Sequence, residues 1–305
     1  MTPPETRRRR LSWSTWTLLA LLVSIGGVLF WAFVWEPGRL VVREAALELP
    51  GWGGQRPLRL VLIADLHVGS PRNGIDNLRR VVDRANEQDP EIILLAGDIV
   101  IDNVFAGSFV SPEDIAAELR ALAAPLGVFA VLGNHDRWLS ADRVTAALES
   151  AGITVVENRG VLVEAGDRRL WVAGVSDFWT GHPDLDAALA GVADDDPVLL
   201  VTHNPDIFPD VPDRVSLTLA GHTHGGQVVL PFVGRAITPS RFGERYAVGH
   251  VTEENRQLFV TSGVGTSRLG VRFLVPPEIV VLELEGCPAC DGPNLPHEAA
   301  EEPGR

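Results

Sequence analysis

Five apolar runs in this 305-residue chain end in residues that can bind a metal ion. IADLH supplies Asp65 and His67, and LAGD supplies Asp98. VLGNHD supplies Asn134, His135 and Asp136, LVTH supplies His203, and LAGHTH supplies His222 and His224. Imidazole is costly to bury without a partner, yet most of the eight histidines fall in these stretches. One such histidine is ordinarily a satisfied core or surface side chain. A repeated meeting of His, Asp and Asn at the ends of apolar runs needs another reason. The donors are carboxylates, imidazoles and one amide oxygen, with no thiolate. That set suits Mn, Fe or Zn in a catalytic role rather than a closed, thiolate-rich structural zinc. Alternate side chains of an extended segment point to one side, so both members of D-x-H and of H-x-H can face one centre. His222 and His224 are spaced to serve two ions, one each.

These residues need elements to position them. LRLVLIAD (58–65), EIILLAGD (91–98), DPVLLVTH (196–203) and VSLTLAGH (215–222) are continuous apolar runs of strand length. GVFAVLGNHD (127–136) reads as a strand running into a loop. Helical spacing covers 73–88. A Ser cap, Pro at the first helical position and early acids mark a helix over 111–125, and 140–152 reads as a helix closed by Gly152. GVLVEA and RRLWVAGV, joined by Gly166–Asp167, carry a hairpin signal. QVVLPF, the region around YAVGHV, QLFVTSG and EIVVLELE make the second half strand-rich. The pattern predicts an α/β fold in layers, a mixed sheet or two packed sheets with helices outside. The polar residues then lie at the carboxyl ends of strands, where open α/β sheets place their sites.

The formal net charge of −14 argues against an electrostatic grip on nucleic acid. All 26 basic side chains are arginine. Four of them, Arg7–Arg10, precede a 25-residue run without charge, Leu11–Trp35. Such a run spans a bilayer as a helix. Trp13 and Trp16 near one end and Trp31 and Trp35 near the other fit aromatic belts. No A-x-A cleavage site follows, which favours an uncleaved anchor over a signal peptide. The arginines stay in the cytoplasm by the positive-inside rule, leaving the rest of the chain beyond the membrane. The expected organisation is a basic N-terminus (1–10), a transmembrane helix (11–35), a linker with room for one edge strand (36–57), a catalytic domain (58–285) and a flexible tail (286–305). The only cysteines, Cys287 and Cys290, stand in that tail as CPAC, with a small local disulfide as their one expected chemistry in an oxidising compartment. Nothing in the sequence sets an oligomeric state.

The ordered set D-x-H, G-D, G-N-H-D, H and G-H-T-H, running from 65 to 224, resembles the calcineurin-like metallophosphoesterase family. GHTHGGQVVLP and TSGVGTSRLGVRFLVPPEIVVLEL, with the N-terminal span, are similar to its membrane-anchored bacterial branch, UDP-2,3-diacylglucosamine hydrolase-like. The resemblance covers residues 58–284. It implies two packed mixed sheets flanked by helices, and two divalent ions of Mn, Fe or Zn type. Carried over by position, it places Asp65, His67 and His224 on one ion, Asn134, His203 and His222 on the other, and Asp98 between them. His135 is then a histidine beside a ligand with no metal to bind, and is the candidate general acid. Asp136 is a candidate to orient it. Arg268 and Arg272 in SRLGVR are candidates to hold a substrate phosphate oxygen, and the apolar loops at Phe105–Val110 and Phe178–Trp179 are candidates to meet lipid. One departure is that Ile101, not Asp, stands three residues after Asp98, with Asp102 one later, so no helper role passes to that carboxylate.

The expected function is hydrolysis of a phosphodiester or pyrophosphate bond at the bacterial inner membrane. The substrate is a phosphorylated small molecule or a lipid or nucleotide-sugar-lipid headgroup. The branch's substrate is made on the cytoplasmic face, which conflicts with a domain outside. The alternative is a non-catalytic, metal-stabilised binding module, against which stands the filling of every ligand position.

Overall fold

The computed structural model describes residues 12–50, 52, 56–101, 105–165, 168–235 and 237–287. Arg7–Arg10, Asp102, Gly166–Asp167, Cys290 and the tail beyond it lie outside the described residues. The first half of the chain forms α1 (Trp13–Phe30), β1 (Val41–Leu49), β2 (Leu58–Ile63), α2 (Ile75–Asn86), β3 (Ile92–Ala96), α3 (Pro112–Leu119), β4 (Val128–Val131) and α4 (Asn134–Ser150). Then come β5 (Thr154–Val155), β6 (Arg159–Ala165), β7 (Arg168–Gly174), α5 (Leu185–Ala188), β8 (Val198–Val201) and β9 (Leu217–Ala220). The last strands are β10 (Val229–Leu230), β11 (Gly234–Arg235), β12 (Gly249–Glu253), β13 (Arg256–Val260) and β14 (Glu278–Gly286).

Two six-stranded sheets face each other, in the orders β1-β14-β2-β3-β4-β5 and β12-β13-β9-β8-β7-β6. β2, β3, β4 and β5 run parallel, as do β7, β8, β9 and β13. Side chains alternate between the faces of each strand. Leu60, Leu62, Leu94 and Val131 therefore meet Leu199, Val201 and Leu217 between the sheets. Val61, Ile63, Ile93 and Leu95 point the other way, into the layer of α2, α3 and α4. Complete burial of each such side chain contributes about 1.5–3 kcal/mol. The layered α/β expectation is met, in its two-sheet form.

Two local expectations need revision. Residues 36–57 do more than link, because β1 pairs in parallel with β14 over nine residues and Trp52 is fully buried. GNHD enters a short helical segment that starts at Asn134 rather than a loop, and the helix expected from 140 follows it across a kink. At Ser140 (φ 177°, ψ 109°) the backbone is extended and the two segments meet, which is where the sequence signal begins. At the N-terminus, α1 buries none of its residues over Trp13–Phe30 and continues through wider and then tighter turns to Gly38, where Ala32, Glu36 and Pro37 are buried. The run Trp13–Gly38 is long and apolar enough to cross a bilayer by length and composition.

Candidate metal centre

The parallel strands of both sheets deliver their carboxyl ends to one place. Backbone bonds hold these ends in register: Asp65 N donates to Gly97 O (2.9 Å), His67 N to Asp98 O (2.9 Å), and Gly221 N to His203 O (3.0 Å). Beyond the last ladder bond the chain turns abruptly. Asp65, His67, Asp98, His222 and His224 all take left-handed φ values, between 41° and 71°. Such conformations cost a non-glycine residue on the order of 1–3 kcal/mol and gather at functional sites. Two glycines make room for the donors. Gly97, at φ 83°, would place a Cβ 2.7 Å from His203 Nδ1 and 2.6 Å from Gly133 N, and a Cβ on Gly133 would overlap Asp98 Oδ1.

The donor atoms converge closely. Asp98 Oδ2 lies 3.4 Å from His67 Nε2 and 3.3 Å from His203 Nε2. His224 Nε2 is 3.4 Å from Asp65 Oδ1 and 3.1 Å from His67 Nε2, and His222 Nδ1 is 3.1 Å from His203 Nε2. Three overlapping groups able to hold an ion result: Asp65, His67 and His224; His67, Asp98 and His135; and Asp98, His203 and His222. The outer nitrogens of two rings are anchored. His203 Nδ1 meets Ala96 O at 2.8 Å and His67 Nδ1 meets Val100 O at 3.3 Å, which turns each Nε2 lone pair inward. Asn134 Oδ1, buried, has no hydrogen-bond partner among the described residues. A buried acceptor of this kind is costly. Ring nitrogens facing each other at 3.1 Å also repel unless a cation or proton lies between them. Both observations fit bound divalent ions, and the all-oxygen, all-nitrogen donor set fits them too.

Electrostatics follow from burial. Burial, helped by the Asp98 charge, pushes the Asp65 carboxyl up to about 7. Burial would also raise Asp98, but the His203 and His67 imidazoles hold it well below the usual carboxylate range. Burial opposes charge on His203, yet Asp98 keeps it well above the ordinary imidazole value. Burial lowers His67 and His222 to about 3, with neighbouring imidazoles adding to it. Without metal, the centre therefore stores protons on His203 and, near neutrality, on Asp65.

The sequence profile of the calcineurin-like phosphoesterases matches residues 58–226. The chain belongs to that family. An uncharacterised metallophosphoesterase of Bacillus subtilis, YkuE, is 32% identical over 92% of this chain and 97% of its own. The phosphodiesterase YaeI of Escherichia coli is 34% identical over 75% of this chain and 82% of its own length. A zebrafish (Danio rerio) transmembrane protein with a metallophosphoesterase domain is 30% identical over 75% of this chain, which spans about half of it (53%). This calcineurin-like protein is thus a metal-dependent phosphoesterase, a hydrolase whose family binds divalent metals.

The structure gathers Asp65, His67, Asp98, His203, His222 and His224 into overlapping groups within ligand distance, and Asn134 is buried beside His135 at the start of α4. His135 is beside them: its N–H donates to Asp98 Oδ1 (2.8 Å) and its ring meets those of His67 (4.8 Å) and Trp138 (4.7 Å) edge to face. Three other residues do not take the site roles offered for them. Asp136 does not orient His135; its fully buried carboxylate accepts from Ile99 N, Val100 N and Gly133 N at 2.9–3.0 Å, clamping the Asp98 loop to the start of α4. Arg272 is not available to substrate. It is fully buried, and its guanidinium donates to the carbonyls of Ser262, Gly263, Gly265, Val275 and Pro276 at 2.6–3.5 Å. Phe178 is partly buried under the Arg241 guanidinium, 4.7 Å from its ring. Arg268 is exposed and makes no ion pair among the described residues.

Sequence reading missed the walls of the site. The half-exposed Trp179 sets its ring edge to face on His222, 4.3 Å away, and Trp138 does the same on His135. The only signal was that each tryptophan stands a few residues after a strand end. Gly263 and Gly265, in the TSGVGTS segment, pack directly on Asp65 and His67.

Proposed function

We propose that this protein is a membrane-anchored, binuclear phosphodiesterase acting on a phosphodiester or pyrophosphate bond in a lipid headgroup. One observation carries the two-ion reading: the Asp98 carboxylate lies between the His67 and His203 imidazoles, as a bridging ligand must. Asp65, His67 and His224 would hold one ion, and Asn134, His203 and His222 the other. Bound there, divalent ions supply Lewis acidity and activated water for attack at phosphorus. His135 presents its ring at the edge of the centre and delivers a proton to the departing oxygen. Trp138 fixes that ring by its edge contact, and the His135 N–H bond to Asp98 ties the acid to the ligand cluster. Trp179 shields the other side from water above His222. Arg268, exposed three residues after the Gly265 that packs on His67, is available to the phosphate or headgroup. The E. coli relative's name supports a diester rather than a monoester. The apolar run Trp13–Gly38, ending in Trp31 and Trp35, supports a single span of the bacterial inner membrane with the domain outside. The 286–305 tail and its CPAC have no part in this reading.

The test uses the full chain in detergent, loaded with Mn²⁺ or Zn²⁺, with metal counted by elemental analysis. The expected result is two ions per chain and hydrolysis of bis(p-nitrophenyl) phosphate. Asp98→Asn should lose metal and activity together; His135→Ala should keep metal and lose roughly 10²–10⁴-fold in turnover. A His135→Ala variant purified without metal would sink this division of roles. Full metal with no diesterase activity on any phosphodiester, lipid or soluble, would favour a binding module.

A further inference from the structure

The metal-site loop does not stop at Gly226. It runs directly into the β10–β11 hairpin, and Arg235 on that hairpin donates back to Gly225 O at 3.0 Å. The hairpin's side chains are out of place in water: Phe232, Val233 and Ile237 are largely exposed, with Leu230 beside them. Leu269 and Leu274, on the neighbouring loop, are half exposed. Phe232 and Leu274 are held at φ 67° and 59°, a conformation that bulky residues rarely take. Contiguous exposed apolar surface of this kind marks an interaction site.

The backbone indicates what covers it. Arg272 N donates to Ala32 O (3.0 Å), at the exit of the apolar helical run. The very next residue, Phe273, bonds Val229 N through its carbonyl and Gln227 O through its N–H, both at 2.9 Å. Two consecutive residues therefore join the helix exit on one side and the hairpin base on the other. From Val229 to Phe232 a strand advances only about 10 Å. The interfacial layer on each side of a bilayer is roughly 5–8 Å deep. Trp31, whose indole donates to the buried Glu36, and Trp35 mark that layer at the helix exit. The hairpin tip is thus within reach of the same layer.

We propose that the hairpin 228–235, with Ile237, Leu269 and Leu274, is a membrane-docking surface. It rests in the phospholipid interface beside the helix exit, and so turns the mouth of the metal centre toward lipid headgroups. The proposal rests on the reading of Trp13–Gly38 as a span, and it adds a second membrane contact beside a helix exit that the Arg272 N bond to Ala32 O already ties to the domain.

The experiment places an environment-sensitive fluorophore on Phe232→Cys or Ile237→Cys in the full chain, with Cys287→Ser and Cys290→Ser removing other thiols. Glu254→Cys is the control, on the exposed turn between β12 and β13. The proteins are reconstituted into phosphatidylcholine–phosphatidylglycerol vesicles carrying nitroxide lipids. Labels at 232 and 237 should shift to the blue and be quenched by nitroxide near the headgroup, while the label at 254 should do neither. If all three labels behave alike in chains that stay with the vesicles through an alkaline wash, the anchor stands and the docking surface falls. A blue shift without lipid quenching would mean that protein, such as a second copy of this chain, covers the patch, and would also overturn it. Release of the chain by the wash would remove the span and the docking surface together.

Discussion

Replacing Arg272 by leucine discriminates sharply between two roles for this residue. The sequence offers it as a phosphate clamp, whereas the structure buries it completely beneath the 262–276 loop. Burial pushes the guanidinium down to about 10, offset by the carboxylates of Asp65, Glu278 and Glu36. Five carbonyls, from Ser262 to Pro276, turn inward to meet its N–H groups. In Arg272→Leu those carbonyls lose their donor in a place water does not reach. A bare buried polar group costs about 1–3 kcal/mol, and taking one partner from a buried charged cluster costs about 3–5 kcal/mol in total. The contributions are not additive, so about 4 kcal/mol is a fair expectation against a domain stability of about 5–15 kcal/mol. At roughly 2–4 °C per kcal/mol for a domain of this size, the melting temperature should fall by about 10 °C. Arg272→Lys keeps the charge but not the planar fork, and should fall in between. Thermal unfolding by circular dichroism with and without metal reads the effect, alongside KM for a soluble diester. A leucine variant that melts like the parent but shows a raised KM would refute the structural role and restore the phosphate clamp.

Two further outcomes follow from the same geometry. Asp136→Asn replaces one carboxylate oxygen of the clamp on Ile99, Val100 and Gly133 with a donor facing a donor; stability should drop by about 1–3 kcal/mol, measured by urea unfolding, and a variant of parental stability whose only change is in the pH profile of turnover would mean that Asp136 acts through His135 after all. Metal loading should release protons at pH 7, because His203 is held protonated by Asp98 and Asp65 stands near half-protonation at about 7, and both must be deprotonated to bind. Affinity should therefore weaken as pH falls through 7, and calorimetry in buffers of different ionisation enthalpy should report more than one proton released per loaded chain; identical heats in all buffers would contradict it.

The candidate donors that the structure brings together were legible in the sequence because strand ends are local features. An apolar run of four to six residues followed by Asp, Asn or His needs no distant information to read, and parallel strands bring such ends to one edge. The same locality made α2, α3 and the β6–β7 hairpin readable from spacing and turn residues. What sequence could not decide were positions whose role depends on partners far along the chain. Asp136 meets Ile99 across 37 positions, and Arg43 on the edge strand reaches Glu278 across 235. The short helical segment from Asn134 to the kink at Ser140 carries no sequence signal of its own; it forms where the Asp98 carboxylate accepts the His135 N–H and Asp136 takes the Gly133 N–H. Arginine in a polar loop reads as surface; only the closing of residues 262–276 around Arg272, with their carbonyls turned in, makes burial of that charge affordable. The sequence by itself thus determined the chemistry, because donor identity and strand-end position are written locally. The tertiary structure alone decided which polar side chains face that chemistry and which hold the backbone around it, because a buried charge is stable only where distant parts of the chain supply its partners.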